Sequence, residues 1–206
     1  MRALLVLGLM LGMACGKKQV DGDSPPAGSG VASDDDQREQ QRFDTERRPD
    51  KIVEALAIGP GSRVADIGAG SGLLTVHLAR AVAPSGRVIA TDIDGAVLDL
   101  LAARLKAAGL SQVVERRVVG ADKPELEEGA YDAILLAEVD HFFPDPAAWL
   151  REAAKALKPG GRIVISNRVY HRAQAMAAAK KAGLVLKSES NPVSTHYIAV
   201  FVVGKS

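Results

Sequence analysis

The sequence predicts a doubly wound α/β domain built on a mostly parallel sheet, and three observations predict it. From Arg47 onward, short apolar segments alternate with helix-like segments of about ten to fifteen residues, the pattern of βαβ units. Hydrophobic residues make up 47% of the 206-residue chain and charged residues 25%, which is the composition of a folded globular protein. Aromatic residues are only 4%, so the core must be built from Ala, Val, Leu and Ile.

Each element has a local reason. Residues 49–58 read as a helix because Ile52, Val53, Leu56 and Ala57 share one face, and Gly59-Pro60-Gly61-Ser62 stops it. Residues 63–67 form a short apolar strand, and a Gly-rich turn leads into a helix over 73–82. A strand over 87–91 precedes a helix over 95–108 that stops at Gly109. Strands follow at 113–119 and 131–137, then a helix from Pro146 that ends before Lys158-Pro159-Gly160-Gly161. A fifth strand over 162–166, a helix over 172–182 stopped by Gly183, and strands over 185–188 and 197–203 complete the chain. In such a sheet, ligands bind at the carboxyl ends of the strands near the point where strand order reverses.

Lys and Arg total 26 against 25 Asp and Glu, a net charge of +1, so the chain lacks the basic excess of a general nucleic-acid binder. Nucleic acid is therefore not an expected partner. The single cysteine, Cys15, excludes an internal disulfide framework and any cysteine-cluster metal site. No metal is expected.

The first residues have the form of an export signal. Met1 and Arg2 precede the unbroken apolar stretch 3–14, which ends on the small residue Ala14. Spanning a bilayer takes about 20 apolar residues, so this stretch is too short for a transmembrane helix. Cys15 directly after Ala14 makes the segment resemble a bacterial lipoprotein signal, in which the cysteine is lipidated and becomes the mature N-terminus. Gly12 and Met13 depart from that pattern, and Leu11 stands one place early; the competing reading is a plain signal peptide or uncleaved anchor with an incidental cysteine. Residues 16–36 are Gly, Ser, Pro and Asp with few apolar side chains, which reads as a flexible tether. The run Asp34, Asp35, Asp36 reads as solvated charge, since no further metal ligands accompany it. The expected organisation is a signal peptide over 1–14, a tether over 15–40 and a folded domain over 41–206. The expected location is a bacterial cell envelope, with the membrane touched through the lipidated N-terminus alone; a cytoplasmic protein is the alternative.

The most informative stretch is Val64-Ala65-Asp66-Ile67-Gly68-Ala69-Gly70-Ser71-Gly72. Alternating glycines after a strand let the backbone turn tightly and approach a ligand closely. A dinucleotide fingerprint, G-x-G-x-x-G, would need its third glycine where Leu73 stands. Here the spacing is G-x-G-x-G, and Asp92 follows about twenty residues later, where a carboxylate can accept both hydroxyls of a ribose.

With these motifs the chain resembles the class I S-adenosylmethionine-dependent methyltransferases over roughly residues 41–203. Alongside VADIGAGSG and VIATDID stand YDAILLAEVDHFF after the fourth strand and LKPGGRIVIS before the fifth. The resemblance implies a Rossmann-like, seven-stranded sheet with an antiparallel last strand, helices on both faces, and S-adenosylmethionine as cofactor. It implies that Gly68, Gly70 and Gly72 form the backbone cradle, and that Asp66 lies near the methionine amino group. It further implies Asp92 on the ribose hydroxyls, Ile93 against the adenine and Asp122 on the adenine amino group; a plain turn residue ahead of Pro124 is the alternative for Asp122. A subgroup of bacterial methyltransferase-like proteins shares the layout of residues 36–42, Asp140-His141-Phe142 and Thr195-His196-Tyr197. Asp140 departs from the aromatic or apolar residue expected there.

Methyl transfer is an in-line displacement at a carbon already activated by a sulfonium, so the protein chiefly aligns donor and nucleophile, with a base if a proton must leave. His141, after the fourth strand, is the candidate catalytic base; packing beside Phe142 is the competing role. Arg168, Tyr170 and His171 are candidates for binding the acceptor or for starting the next helix. Glu138 and Asp140 read as solvated acids, with offsetting of the positive charge on the sulfonium as the alternative. The expected function is S-adenosylmethionine-dependent methyl transfer to an unidentified acceptor. The alternative is a non-catalytic envelope lipoprotein that keeps the fold as a binding or structural module, because export separates the domain from the cytosol where the methyl donor is made. Leu73 argues against a third reading, a nucleotide-binding oxidoreductase.

Overall fold

A computed structural model describes residues 33–204. The signal-like stretch, Cys15 and the tether over 16–32 lie outside the described residues.

The described part opens with helix α1, Asp34–Arg47, which corrects the expected end of the tether. Ser33 Oγ accepts from the Asp36 N–H and the Asp36 carboxylate accepts from the Ser33 N–H, each at 3.2 Å, a reciprocal cap. The acidic run thus sits in the first turn, where the exposed N–H groups of the helix favour negative charge. Periodicity could not reveal α1, because Arg47 is its one buried residue. Polar bonds hold it instead: Glu39 to Arg104 at 2.6 Å, the Gln40 amide to the Leu73 carbonyl at 3.0 Å, and Asp44 to His77 at 2.8 Å.

The rest follows the expected alternation: α2 (Pro49–Leu56), β1 (Arg63–Ile67), α3 (Thr75–Val82), β2 (Arg87–Asp92), α4 (Gly95–Ala107) and β3 (Val114–Val118). Then come β4 (Tyr131–Ala137), α5 (Pro146–Lys155), β5 (Leu157–Arg168), α6 (Arg172–Lys181), β6 (Leu184–Val193) and β7 (His196–Val203). The seven strands lie in the order β3-β2-β1-β4-β5-β7-β6. β7 runs antiparallel to both its neighbours, and the remaining pairs are parallel, as expected. Several boundaries differ from the sequence reading, and three of the differences have a structural reason. α3 starts at Thr75 because residues 71–74 still belong to the turn. β5 starts at Leu157, since Tyr131 pairs with Leu157 before a register shift that takes up the Pro-Gly-Gly segment. β6 extends to Val193 because an edge strand can be paired on one side while its polar residues stay exposed.

Alternation along the strands splits the core into two layers. Ala65, Ile67, Ile134, Leu136, Ile163 and Ile165 pack with Trp149 and Leu150 of α5 and the alanines of α6. Their neighbours Val64, Ala133, Leu135 and Val164 face the other way, onto Ile52 and Leu56 of α2, Leu78 of α3 and Leu101 of α4. A sheet buried on both faces requires such near-continuous apolar strands. The chain order reverses between β1 and β4, so the loops after β1, β2 and β4 meet at one edge.

Candidate active site

The glycine turn after β1 adopts left-handed backbone at all three glycines, with φ of 68° at Gly68, 56° at Gly70 and 86° at Gly72. Space closes the argument at two of them. A Cβ on Gly68 would lie 2.7 Å from a Val139 methyl carbon, and one on Gly72 would lie 2.7 Å from Leu101 Cγ. At Gly70 nothing lies within 4 Å, so this glycine leaves the backbone open to whatever approaches it.

Asp92 closes β2 and binds the turn from the other side. Its Oδ2 accepts from the Gly70 N–H at 2.9 Å and its Oδ1 from the Asp94 N–H at 3.1 Å. One acceptor position on each oxygen is thus taken by backbone, which fixes the carboxylate, and each oxygen keeps a further lone pair for a hydroxyl. Asp92 lines a cavity of about 430 Å³ together with Gly68, Ile93, Gly120, Glu138 and Phe142. That volume suits a small organic ligand, for which pockets of about 300–1,000 Å³ are usual. Ile93 is 66% exposed and Phe142 71%, apolar side chains left uncovered beside a polar carboxylate. Thr91 also lines the cavity, and its buried hydroxyl has no partner among the described residues.

Asp66 and Asp122 are placed differently. Asp66 is 2% exposed beneath the turn, where it accepts from Thr75 Oγ1 at 2.7 Å, and it does not line the cavity. Burial pushes its carboxyl up to about 6; the Thr75 bond opposes this and the Asp92 charge adds to it. Gly120 and Ala121 reach the cavity, but Asp122 is exposed and does not line it. Its Oδ1 lies 2.7 Å from where a Cβ on Gly120 would stand.

The loop after β4 carries two polar systems. Glu138 sits in left-handed backbone, φ 55°, an uncommon conformation for a non-glycine residue and one found at functional sites. Its Oε2 accepts from Arg47 at 2.7 Å, and its Oε1 contacts Arg168 at 3.1 Å and His196 Nε2 at 2.8 Å. Burial alone would push its carboxyl up, yet the His196 bond and the Arg47 cation outweigh that and hold it below the usual range. Neither sequence expectation for Glu138, a solvated acid or an offset to the sulfonium charge, includes these partners. Its position directly after β4 and the Thr195-His196 pair were the available signals.

The second system is Asp140, His141 and Asn167. The Asn167 Oδ1 accepts from the Arg168 N–H at 2.7 Å, so its amide nitrogen faces Asp140 Oδ1 at 2.7 Å and His141 Nδ1 at 3.0 Å. A flipped amide would set an oxygen against the Asp140 carboxylate. His141 Nδ1 is therefore the acceptor, and the neutral ring carries its proton on Nε2. Burial, then the neighbouring His171, pull the His141 imidazolium below its ordinary value, against Asp140 and Glu138. Asp140 is buried, which raises its carboxyl while the Asn167 bond opposes, and this explains an acid where an apolar residue was expected. The rings of His141 and His171 stack at 4.0 Å, with Phe142 4.0 Å from His141 and Tyr170 4.3 Å from His171. The structure thus brings His141, Phe142, Tyr170 and His171 together at the cavity's edge, although Phe142 is the one of them that lines it.

Comparison with known proteins shows what the chain is similar to. A family described as "Methyltransferase domain" matches residues 65–163, from β1 into β5. That match covers just under half of the chain. A ubiquinone biosynthesis O-methyltransferase of Xanthomonas campestris is 33% identical over 156 residues, 75% of this chain and 62% of that protein. The chain thus spans about three-fifths of the length of such curated relatives. Among solved structures, a SAM dependent methyltransferase from Aquifex aeolicus superposes with a TM-score of 0.73 at 19% identity, covering 82% of this chain and 96% of that one. Geranyl diphosphate C-methyltransferase from Streptomyces coelicolor, solved with S-adenosyl-L-homocysteine, gives 0.67 at 16% identity over 88% and 86%. At these identities the structures bear on the fold alone, and the described residues have the Rossmann-like fold expected from the sequence. Among the described residues no cluster of His, Cys, Asp or Glu could hold a metal ion.

Proposed function

We propose that the chain is an S-adenosylmethionine-dependent methyltransferase acting on an unidentified acceptor. One observation carries the reading: Asp92, fixed by Gly70 and Asp94, lines a cavity bounded by the glycine turn and an exposed apolar residue, Ile93. The residues fit the cofactor. The carboxylate retains lone pairs for ribose hydroxyls, Ile93 offers apolar lining for adenine, and Gly70 admits close backbone approach. The domain match and the family names of the relatives support the same reading. When bound, S-adenosylmethionine supplies an electrophilic methyl group on a sulfonium. The chain's own residues orient the partners and exclude water.

His141 enters this proposal as a hydrogen-bond donor that orients the acceptor. The base expected from sequence needs a free ring nitrogen, and the neutral ring has Nδ1 occupied by Asn167 and Nε2 protonated. Glu138, held by two arginines and a histidine, ties α1, β4, β5 and β7 together beside the cavity and carries fixed negative charge there. In this proposal Asp66 and Asp122 reach the cofactor through movement, since Asp66 is tied to Thr75 and neither residue lines the cavity.

The proposal includes the N-terminus: Cys15 is lipidated after cleavage at Ala14, and the domain hangs from a bacterial envelope membrane. The short apolar stretch, the small residue before the single cysteine and the polar tether support this. Titration of the full chain with S-adenosylmethionine and with NAD tests the cofactor, and a labelled fatty acid tests Cys15.

A further inference from the structure

A second concavity, of about 500 Å³, lies between α2, β5 and β6, with Val200 of β7 among its lining residues. Its charge is concentrated. Arg48, Lys51, Arg162 and Lys187 line it against one carboxylate, Glu54, in a chain whose net charge is +1. Arg48 is paired to Asp50 and Lys51 to Glu54, each at 2.7 Å. Arg162 and Lys187 have no carboxylate partner among the described residues, and the Arg162 guanidinium reaches the Ala55 carbonyl, at 3.5 Å.

The strand that forms one wall is bent to serve it. Leu186 pairs with Phe201 and Ser188 with Val200, so Lys187 is the extra residue of a β-bulge. In a regular strand, adjacent side chains point to opposite faces, yet Lys187 and Ser188 both line the groove. A second irregularity between Ser190 and Val193 brings Ser190 and Asn191 to the same groove. Cations from three elements, two of them unpaired, and hydroxyl and amide donors from the bulged strand thus converge on one concavity. A guanidinium offers a planar fork and an ammonium a point charge, the pair of donors that suits a phosphate group's several oxygens.

We propose that this groove binds a phosphate-bearing ligand, either a soluble phosphate ester or pyrophosphate, or the headgroup of an anionic phospholipid. The site is separate from the methyl-donor cavity and does not depend on it. The test uses the full chain and two probes. Inorganic pyrophosphate is titrated by calorimetry, and vesicles of phosphatidylglycerol with phosphatidylcholine are compared with phosphatidylcholine alone by sedimentation. Arg162→Gln/Lys187→Gln is set beside Arg151→Gln/Lys180→Gln, which removes the same charge from exposed positions on α5 and α6. The groove variant should bind about tenfold or more weakly in whichever arm the native chain binds, with unchanged melting, while the control stays near the native value. Pyrophosphate binding assigns a soluble ligand, and sedimentation with the anionic vesicles alone assigns the lipid headgroup. Absence of binding in both arms, or equal loss in both double variants, would overturn the proposal.

Discussion

The backbone N–H of Gly70 donates to Asp92 Oδ2 at 2.9 Å, across 22 residues of sequence, and locks the glycine turn after β1 to the end of β2. This contact prepares the site before any ligand arrives. A carboxylate already oriented loses little freedom when it accepts a hydroxyl, which is the physical content of preorganisation. Asp92→Ala should therefore weaken S-adenosylmethionine binding by roughly 1.5–3 kcal/mol, the range of hydrogen bonds to a charged group. Calorimetry on a variant with native circular dichroism checks this, and unchanged affinity would remove Asp92 from the cofactor site.

The glycines of the turn should separate stability from binding. Gly72→Ala meets both left-handed backbone and Leu101 at 2.7 Å, and should cost about 2–4 kcal/mol in denaturant melts. Gly70→Ala meets the backbone term alone, about 1 kcal/mol, but places a methyl group in open space beside Asp92. The second variant should be the more stable of the two. Equal melts would show that Leu101 moves aside without cost.

Asp66 imposes a pH dependence whose sign is unusual for a carboxylate. Its folded value is raised from 3.8 to about 6, so the folded state holds the extra proton between those values. Stability from this group is present below pH 4 and falls as pH rises toward 6, by up to about 3 kcal/mol. Glu138 and Glu127, held below the usual range, contribute with the opposite sign, so the comparison must be a difference. Subtracting the Asp66→Asn stability profile from the native one should leave a decline between pH 4 and 6. A flat difference would contradict the burial of a charge-bearing Asp66.

His141 gives a prediction that needs no acceptor. Nitrogen-resolved NMR at pH 8 should find its neutral ring protonated on Nε2, and Asn167→Ala should redistribute the proton between the two nitrogens. An Nδ1-protonated ring in the native chain would restore His141 as a candidate base.

Labelled fatty acid should be incorporated into the native chain expressed in bacteria and lost in Cys15→Ser. Absence of label in both, with the protein in the soluble cytosolic fraction, would contradict export.

How much of this could be read from residues alone follows from where each element draws its stability. β1, β2 and β4 were legible because both faces are buried, so Val64-Ala65 or Ile134-Leu135-Leu136 stand out as apolar runs between breaks. α1 was not, since its anchors Arg104, His77 and Glu138 lie tens of residues away and its own face is polar. The same distance hid the Glu138 cluster, whose partners Arg47, Arg168 and His196 are 91, 30 and 58 positions from it. Local motifs reveal the glycine turn and Asp92 because the turn itself makes the site. The motif locates Asp66 and Asp122 in the chain, whereas the side-chain bond of Asp66 to Thr75 and the exposure of Asp122 depend on surroundings that no motif records.

The central claim is that the cavity between the glycine turn and Asp92 takes S-adenosylmethionine and not a dinucleotide. Calorimetric titration of the full chain with each, under the same buffer and salt, tests it most directly. The account predicts one saturable site for S-adenosylmethionine, weakened by Asp92→Ala, and no heat of binding for NAD. Saturable NAD binding without any response to S-adenosylmethionine would contradict it.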